Sequence, residues 1–382
     1  MKKINYWAFM VATLVFFQAS WASGQLVRDT VYSPRYQIAL TNQRLQASTS
    51  DYVYQIAQMD RGFGLVVFSI SPRTDPLFSD FATIGCKRAM GIAVDQQTDT
   101  LYILVERKEE KFGNKCMVLM LDIRENPGFP KPFTWKAVPD DANAMALADK
   151  QLVVVGNSFI NVYDVKKPDM KKPVEWKLSR SLQKPFGYKD VAKFGKYFYA
   201  LRDGAIDAYE LGPNWFDRIS VSETSPFAQT LLPVLDFNGG FILALGSSQS
   251  LIVERFPYDQ KPKMEVRTSC EAFAINDIGK LERTTAPTIP NQEELILTAV
   301  PDNDRSTVYF LVWKYHWDNE RKWYNKTQVL RVYQTKGNHW RLTQEVASNI
   351  ELPALMLPSG DDLFVYGYDL NEQPKIEGFK VK

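Results

Sequence analysis

The chain has 382 residues, with 46 Lys and Arg against 44 Asp and Glu, 45% hydrophobic residues, two histidines and three cysteines. So balanced a charge excludes a global field that draws in nucleic acid or an acidic membrane, and leaves only local patches. Two histidines and three cysteines also supply little material for a metal centre.

Lys2 and Lys3 precede an apolar stretch over residues 6–17, and Ser20-Trp21-Ala22 and Ala22-Ser23-Gly24 offer small-residue cleavage positions. This order predicts a removable signal peptide over residues 1–24. The stretch is shorter than the roughly 20 apolar residues that a spanning helix needs. A secreted, extracellular mature chain over residues 25–382 is expected, monomeric, with no membrane insertion and no nucleic acid. Setting Lys2 and Lys3 aside makes the charge count 44 against 44.

From about residue 50 onward, short β-rich runs bounded by Asp, Asn, Gly and Pro recur without a sustained helical period. Residues 89–93, 101–105 and 117–123 with a Pro-Lys-Pro tail are echoed by 144–148, 152–155, 160–165 and Lys-Lys-Pro. Weaker copies cover 191–211, 234–256, 295–333 and 354–381. Starts spaced roughly 45 to 60 residues apart suit propeller blades. The fold class is all-β, a single β-propeller of six blades with seven as the alternative, its ring closed by N- and C-terminal strands. Residues 36–40 are expected to complete the last blade, and residues 257–294, with Pro287 and Pro290, read as an inserted loop.

Cys86 and Cys116 flank one predicted hairpin and are expected to form a disulfide, leaving Cys270 over. Three unpaired, mostly buried thiols are the alternative. Asn325-Lys326-Thr327 is the one N-glycosylation sequon, which makes Asn325 a glycan candidate in an exported chain.

Catalytic patterns are missing. His316 and His339 each neighbour a Trp and have no ligand or triad spacing, so exposed or edge-strand positions are expected for them. Ser247 and Ser248 follow Gly246 without a nucleophile elbow, and no phosphate-cradling loop occurs. A calcium-dependent propeller hydrolase would draw on Asp140 and Asp141, Asp302, Asn303 and Asp304, or Asp361 and Asp362, but each group follows Pro, which suits turns. No enzyme activity, cofactor or metal is expected.

Two segments stand out as partner surfaces. Residues 166–196 carry Lys166, Lys167, Lys171 and Lys172 with Lys177, Arg180, Lys184, Lys189, Lys193 and Lys196, against Asp169, Glu175 and Asp190. They form either one positive rim patch or a solvated edge that Lys and Pro protect from strand pairing. Trp313, Tyr315, Trp317 and Trp323 belong to a second segment, a hairpin expected to pair Tyr315 with Tyr324 and His316 with Trp323. Its aromatics serve recognition or simply stabilise the two strands. A glycan on Asn325 is expected to cover part of it.

With its leader, its length, three scattered cysteines and a propeller-like repeat, the chain resembles the basic salivary protein family of culicine mosquitoes. That resemblance implies a non-enzymatic salivary effector that binds an extracellular protein, such as a cuticular protein of the mouthparts. Insect yellow-related propellers, which include binders of biogenic amines, look similar in compartment and architecture, though their pattern has more disulfides than three cysteines allow.

Overall fold

Each apolar meander is too small to bury both of its faces alone, so the repeats must stack on one another. The computed structural model describes residues 27–32, 45–49, 51–59, 62–69, 86–109, 113–128, 130–148, 150–165, 176–212, 215–236, 239–252, 263–287, 294–302, 306–320, 323–336, 339–350, 352–359, 362–368 and 374–380. They hold β1 (Val27–Tyr32) and seven antiparallel meanders. The first meander is β2 (Gln46–Ser48), β3 (Tyr52–Met59) and β4 (Gly62–Ser69). The second is β5 (Cys86–Asp95), β6 (Thr100–Glu109), β7 (Gly113–Asp122) and β8 (Lys131–Ala137). The third is β9 (Ala142–Ala148), β10 (Gln151–Gly156), β11 (Phe159–Val165) and β12 (Trp176–Gln183). The fourth is β13 (Asp190–Phe194), β14 (Tyr197–Arg202), β15 (Ala205–Leu211) and β16 (Phe216–Glu223). The fifth is β17 (Thr230–Asp236), β18 (Gly239–Ile252), β19 (Lys263–Ile275) and β20 (Leu281–Thr284). The sixth is β21 (Glu294–Asp302), β22 (Thr307–Asp318), β23 (Trp323–Lys336) and β24 (His339–Ser348). The last is β25 (Leu352–Ser359), β26 (Asp362–Tyr368) and β27 (Pro374–Lys380), with β1 as its fourth strand.

First strands touch in sequence, β2 to β5, then β9, β13, β17, β21 and β25, so they line the axis of a β-propeller. Six sheets are four-stranded, the number read from the repeats. The sheet β2–β4 is the seventh unit that the alternative count requires. Antiparallel order places every second-to-third hairpin and every blade-to-blade connection on one face, here the upper face. First-to-second and third-to-fourth turns lie on the lower face.

A sequence signature repeats in the third strands. Asn161-Val162-Tyr163, Asp207-Ala208-Tyr209, Glu271-Ala272-Phe273, Arg331-Val332-Tyr333 and Glu377-Gly378-Phe379 each set a polar residue two before an aromatic. All five aromatic rings are buried between blades. Tyr163 stacks on Trp176 at 4.3 Å and Tyr209 on Phe198 at 4.7 Å. The polar residue clamps an incoming connection in two blades by the same pair of bonds. Glu271 accepts from the Thr224 hydroxyl and from the Ser225 N–H at 2.6 Å; Glu377 accepts from the Ser348 hydroxyl at 2.8 Å and the Asn349 N–H at 3.1 Å. Asp207 instead accepts from the Tyr188 hydroxyl at 2.6 Å and pairs with Arg202. Hydrogen bonds to charged groups contribute about 1.5–3 kcal/mol each, so these clamps fasten blade to blade.

Beside the signature, the fourth strand carries a β-bulge. The register shifts between Val162 and Tyr163, Ala208 and Tyr209, and Val332 and Tyr333, and in β1 between Arg28 and Thr30. The inserted Ser179 and Thr343 fill equivalent roles, donating to the Val162 and Val332 carbonyls at 3.0 and 3.1 Å. Bulges blunt an edge against pairing with another chain. Close approach of the connections also demands glycine in two second strands, within β18 and at the end of β10. A Cβ on Gly246 would lie 1.9 Å from the Phe227 carbonyl oxygen, and one on Gly156 2.5 Å from that of Asp141.

Three expectations change here. Terminal closure holds, but through β1, while residues 36–40 lie outside the described residues. The stretch 257–294 is not an inserted loop, since β19 and β20 occupy most of its described part. The Cys86–Cys116 disulfide is absent and both cysteines are free. Cys86 lies on β5 opposite Arg107, and Cys116 on β7 opposite Glu106, with β6 between them. Two strand spacings of about 4.8 Å each exceed the roughly 7 Å Cα limit for a disulfide. Their side chains also enter different cores, so the alternative of buried thiols is the one realised. Burial pushes each up to about 11.

Candidate interaction surface

Strands β22 and β23 are among the longest in the ring, and they outrun their neighbours. β21 begins at Glu294 opposite Lys314, and β24 ends at Ser348 opposite Gln328. Residues 315–318 and 323–327 therefore form a two-stranded arm on the upper face. β18 and β19 make a second arm beside it, pairing from Gly246 opposite Ser269 to Ile252 opposite Lys263. Thr268 on that arm donates to the Glu294 carbonyl at 2.8 Å, and Ser247 accepts from the Ile296 N–H at 3.1 Å, so the fifth blade is tied to the root of the sixth.

The hairpin register differs from the expected one by two residues. Tyr315 faces Lys326, His316 faces Asn325, Trp317 faces Tyr324 and Asp318 faces Trp323. A four-residue turn over residues 319–322 closes the pair, displaced by one residue from the turn over 318–321 that the expected pairing of Tyr315 with Tyr324 implies. Directly opposed residues share a side, so Trp313, Tyr315, Trp317, Tyr324 and Lys326 form one aromatic side. Trp317 meets Tyr324 edge-on at 5.1 Å, and Trp313 meets Tyr315 at 6.2 Å. Lys326 Nζ lies 4.2 Å from the centre of the Trp313 ring, and Trp313 Nε1 donates to Gln328 at 3.1 Å. Tyr315 is buried, whereas Trp313, Trp317 and Tyr324 are half-buried. Part of the aromatic set is thus structural, and the half-buried rings are presented in fixed positions.

Asn325 sits on the other side, donating from Nδ2 to Asp318 at 3.1 Å, with His316 exposed opposite it. A glycan there would leave from the polar side and spare the aromatic one, contrary to the expected overlap.

A buried ion cluster anchors the arm. In the sixth blade the signature's polar position is inverted in charge: Arg331, 2% exposed, lies among Glu294, 5% exposed, and Glu345. Its guanidinium donates in a fork to both Glu294 oxygens at 2.8 Å and to Glu345 at 2.7 Å, and Lys314 also contacts Glu345. Burial alone would lower the Arg331 value, but Glu294 and Glu345 outweigh it and raise it. Burial would likewise raise Glu345, yet Lys314 and Arg331 hold it below its ordinary value of 4.5. A carboxylate depressed in the folded state contributes stability above its unfolded value and loses it as pH falls through the folded one. The melting temperature should therefore fall as the pH drops below about 4.5, and Glu345→Gln should flatten that acid limb in melts recorded from neutral to acidic pH.

The lysine-rich segment is not one patch. Lys166, Lys167, Lys171 and Lys172 lie outside the described residues, between β11 and β12 in sequence. Arg180 is buried, paired with Asp164 at 3.3 Å and donating to the Trp215 carbonyl at 3.1 Å. Lys184 and Lys189 follow β12 on the upper face, with Lys189 paired to Asp203, while Lys196 on the lower face pairs with Glu210 at 2.7 Å. Lys184 and Lys189 therefore share the upper face with the aromatic arm, and Lys196 does not.

The turn carboxylates divide in the same way. Asp140 and Asp141 belong to the upper face: Asp140 pairs with Lys115 at 2.8 Å, and Asp141 accepts from the Ser158 N–H at 2.8 Å. Asp302 and Asp362 border lower-face turns, and Asn303, Asp304 and Asp361 lie outside the described residues. Among the described residues no three His, Cys, Asp or Glu side chains gather as a metal would require.

No family model matches the chain, and no curated protein does. Among solved structures it is similar to the WD40 domain of Toxoplasma gondii coronin, with a TM-score of 0.59 and 11% identity over 94% of this chain and 87% of that one. A functionally unknown protein from Desulfotomaculum acetoxidans gives 0.55 and 9%, over 85% and 94% of the two chains. A putative 6-phosphogluconolactonase from Bacteroides uniformis gives 0.51 and 12%, over 87% and 98%. The fold is that of a β-propeller. At these identities the likeness extends to architecture and to nothing chemical.

Proposed function

We propose that this protein is an exported, non-enzymatic binding propeller whose partner is another extracellular protein. The salivary setting and a cuticular partner of the mouthparts rest on the family resemblance. The observation that carries the binding reading is the β22–β23 arm, which holds half-buried Trp313, Trp317 and Tyr324 beside Lys326 on a root fastened by the Arg331 cluster. Anchored aromatics beside a cation have the composition of interface hot spots, and fixing them in advance lowers the ordering cost of binding. Carboxylates that would serve chemistry near the axis are instead engaged: Asp190 accepts from the Thr230 hydroxyl at 2.7 Å and the Leu231 N–H at 2.8 Å, and Glu294 is held by Arg331.

The test is to titrate a partner, captured from the source tissue and identified, against wild type, Trp317→Ala and the pair Lys167→Glu with Lys171→Glu. Trp317→Ala is expected to weaken binding by about 2 kcal/mol, roughly thirtyfold, with little dependence on salt. The lysine pair, which is not part of the arm, should bind like wild type. Equal affinity of Trp317→Ala and wild type, with unchanged melting curves, would remove the arm from the account.

A further inference from the structure

We infer that the outer wall of the second and third blades, formed by β8 and β12, is a docking surface for an acidic polypeptide segment. This rests on the protein-binding reading and gives it a chemistry. The fourth strands β1, β16, β20 and β24 each contain at least one carboxylate: Asp29, Asp217 and Glu223, Glu282, and Glu345. β8 and β12 contain none, and carry Lys131, Lys136, Lys177 and Arg180 instead. Arg180 is neutralised by Asp164, and Lys131 by Glu125 at 3.0 Å. Lys136 Nζ has a carbonyl partner, that of Trp176 at 2.7 Å, and Lys177 has no carboxylate within ion-pair reach among the described residues. Among the described residues Lys136 and Lys177 are thus in no ion pair, since Asp164, opposite Lys177, is engaged by Arg180.

Large apolar side chains are exposed beside them, Trp135 by 57%, Leu178 by 47% and Trp215 by 44%. The bond of Lys136 to the Trp176 carbonyl ties the second blade to the third, and that of Arg180 to the Trp215 carbonyl ties the third to the fourth. Register shifts in both strands, between Met120 and Leu121 and between Val162 and Tyr163, spoil the edge for strand addition. Recognition must therefore run through side chains. Carboxylates answer the unneutralised lysines, and apolar residues interleaved with them answer Trp135 and Leu178. A polysaccharide offers nothing to Leu178, and one Trp and one Leu on adjoining blades are too little apolar surface for stable anchoring in a bilayer.

The experiment measures binding of the mature protein to an immobilised random copolymer of glutamate and tyrosine, with heparin and with mixed phosphatidylserine and phosphatidylcholine vesicles as the other arms. Trp135→Ala and Lys177→Glu, both at exposed positions, are compared with wild type and with Trp317→Ala after their melts are matched. The expected result is copolymer binding that weakens as salt rises and falls by about tenfold in either wall variant, while Trp317→Ala binds like wild type. Absent copolymer binding, undiminished binding by both wall variants, or binding to heparin or vesicles alone would overturn the inference. If the wall variants are unaffected while Trp317→Ala loses the tissue partner, this inference falls and the protein-binding reading stands. If wild type also shows no affinity for any identified protein, both fall.

Discussion

Arg331→Ala is expected to destabilise the protein by about 3–5 kcal/mol, a large share of the roughly 5–15 kcal/mol that holds a typical domain together. The loss is not chiefly that of an attraction. Removing the guanidinium leaves Glu294 buried against β22 and β23 with its fork unanswered, and frees Glu345 from its second cation. Relief should come from removing the stranded charge as well. The double variant Arg331→Met with Glu294→Gln replaces a buried ion pair by neutral groups of similar volume, an exchange that is often near neutral. Chemical denaturation of the three proteins checks this, and a single variant as stable as wild type would contradict the buried cluster.

Truncation after Leu357 should have the larger effect of the two. It removes β26 and β27 and leaves β1 without a partner, so the last blade keeps a single strand. Leu363, Val365 and Phe379, all fully buried, vanish with it. At about 1.5–3 kcal/mol for each buried side chain, these three alone approach the stability of a whole domain. Glu377 and its clamp on Ser348 and Asn349 go too, which loosens the sixth blade. The truncated chain is expected to show no cooperative thermal transition by circular dichroism. A sharp melt near that of the full chain would mean that the ring does not depend on its closure.

The repeat was legible because apolar runs such as those in β10, β14 and β22 bury both faces between blades, so their composition reads through directly. Closure by the termini was legible for a similar reason: the last repeat lacked a strand. Which N-terminal segment supplies that strand was not, since Val27–Tyr32 has a charged pair, Arg28 and Asp29, in its middle. The pattern reads as a loop until the bulge between Arg28 and Thr30 is known. The third-strand signature was present in plain view, as Asn-Val-Tyr, Asp-Ala-Tyr, Glu-Ala-Phe, Arg-Val-Tyr and Glu-Gly-Phe, but its polar member varies in type and sign. A search for identity passes over it. Only the shared task of meeting an incoming connection makes these residues equivalent.

Arm and cysteines failed for a different reason. Hairpin register follows turn length, and Asp318 to Lys322 permits more than one turn; the structure closes it at Asp318 and Trp323. Cys86 and Cys116 are both near the hairpin ends in sequence, yet the hairpin's own strand separates them. Likewise the lysines from 166 to 196 are continuous in sequence but pass from one face of the ring to the other. Exposed Trp135 attracted no notice in sequence because a lone Trp between Thr and Lys in a short strand is indistinguishable from a core residue until its neighbours are placed.

The central claim, that this propeller acts by binding a protein and not through a metal or a small amine, is tested most directly by the melting temperature of the purified mature chain. Five conditions suffice: buffer alone, chelator, added calcium, a biogenic amine, and the identified partner in excess. A ligand that binds only the folded state stabilises it by about 2.7 kcal/mol at one hundred times its dissociation constant, enough to move the melt by several degrees. The account predicts a rise with the partner and no change with chelator, calcium or amine. A marked loss of stability on chelation, restored by calcium, would contradict it.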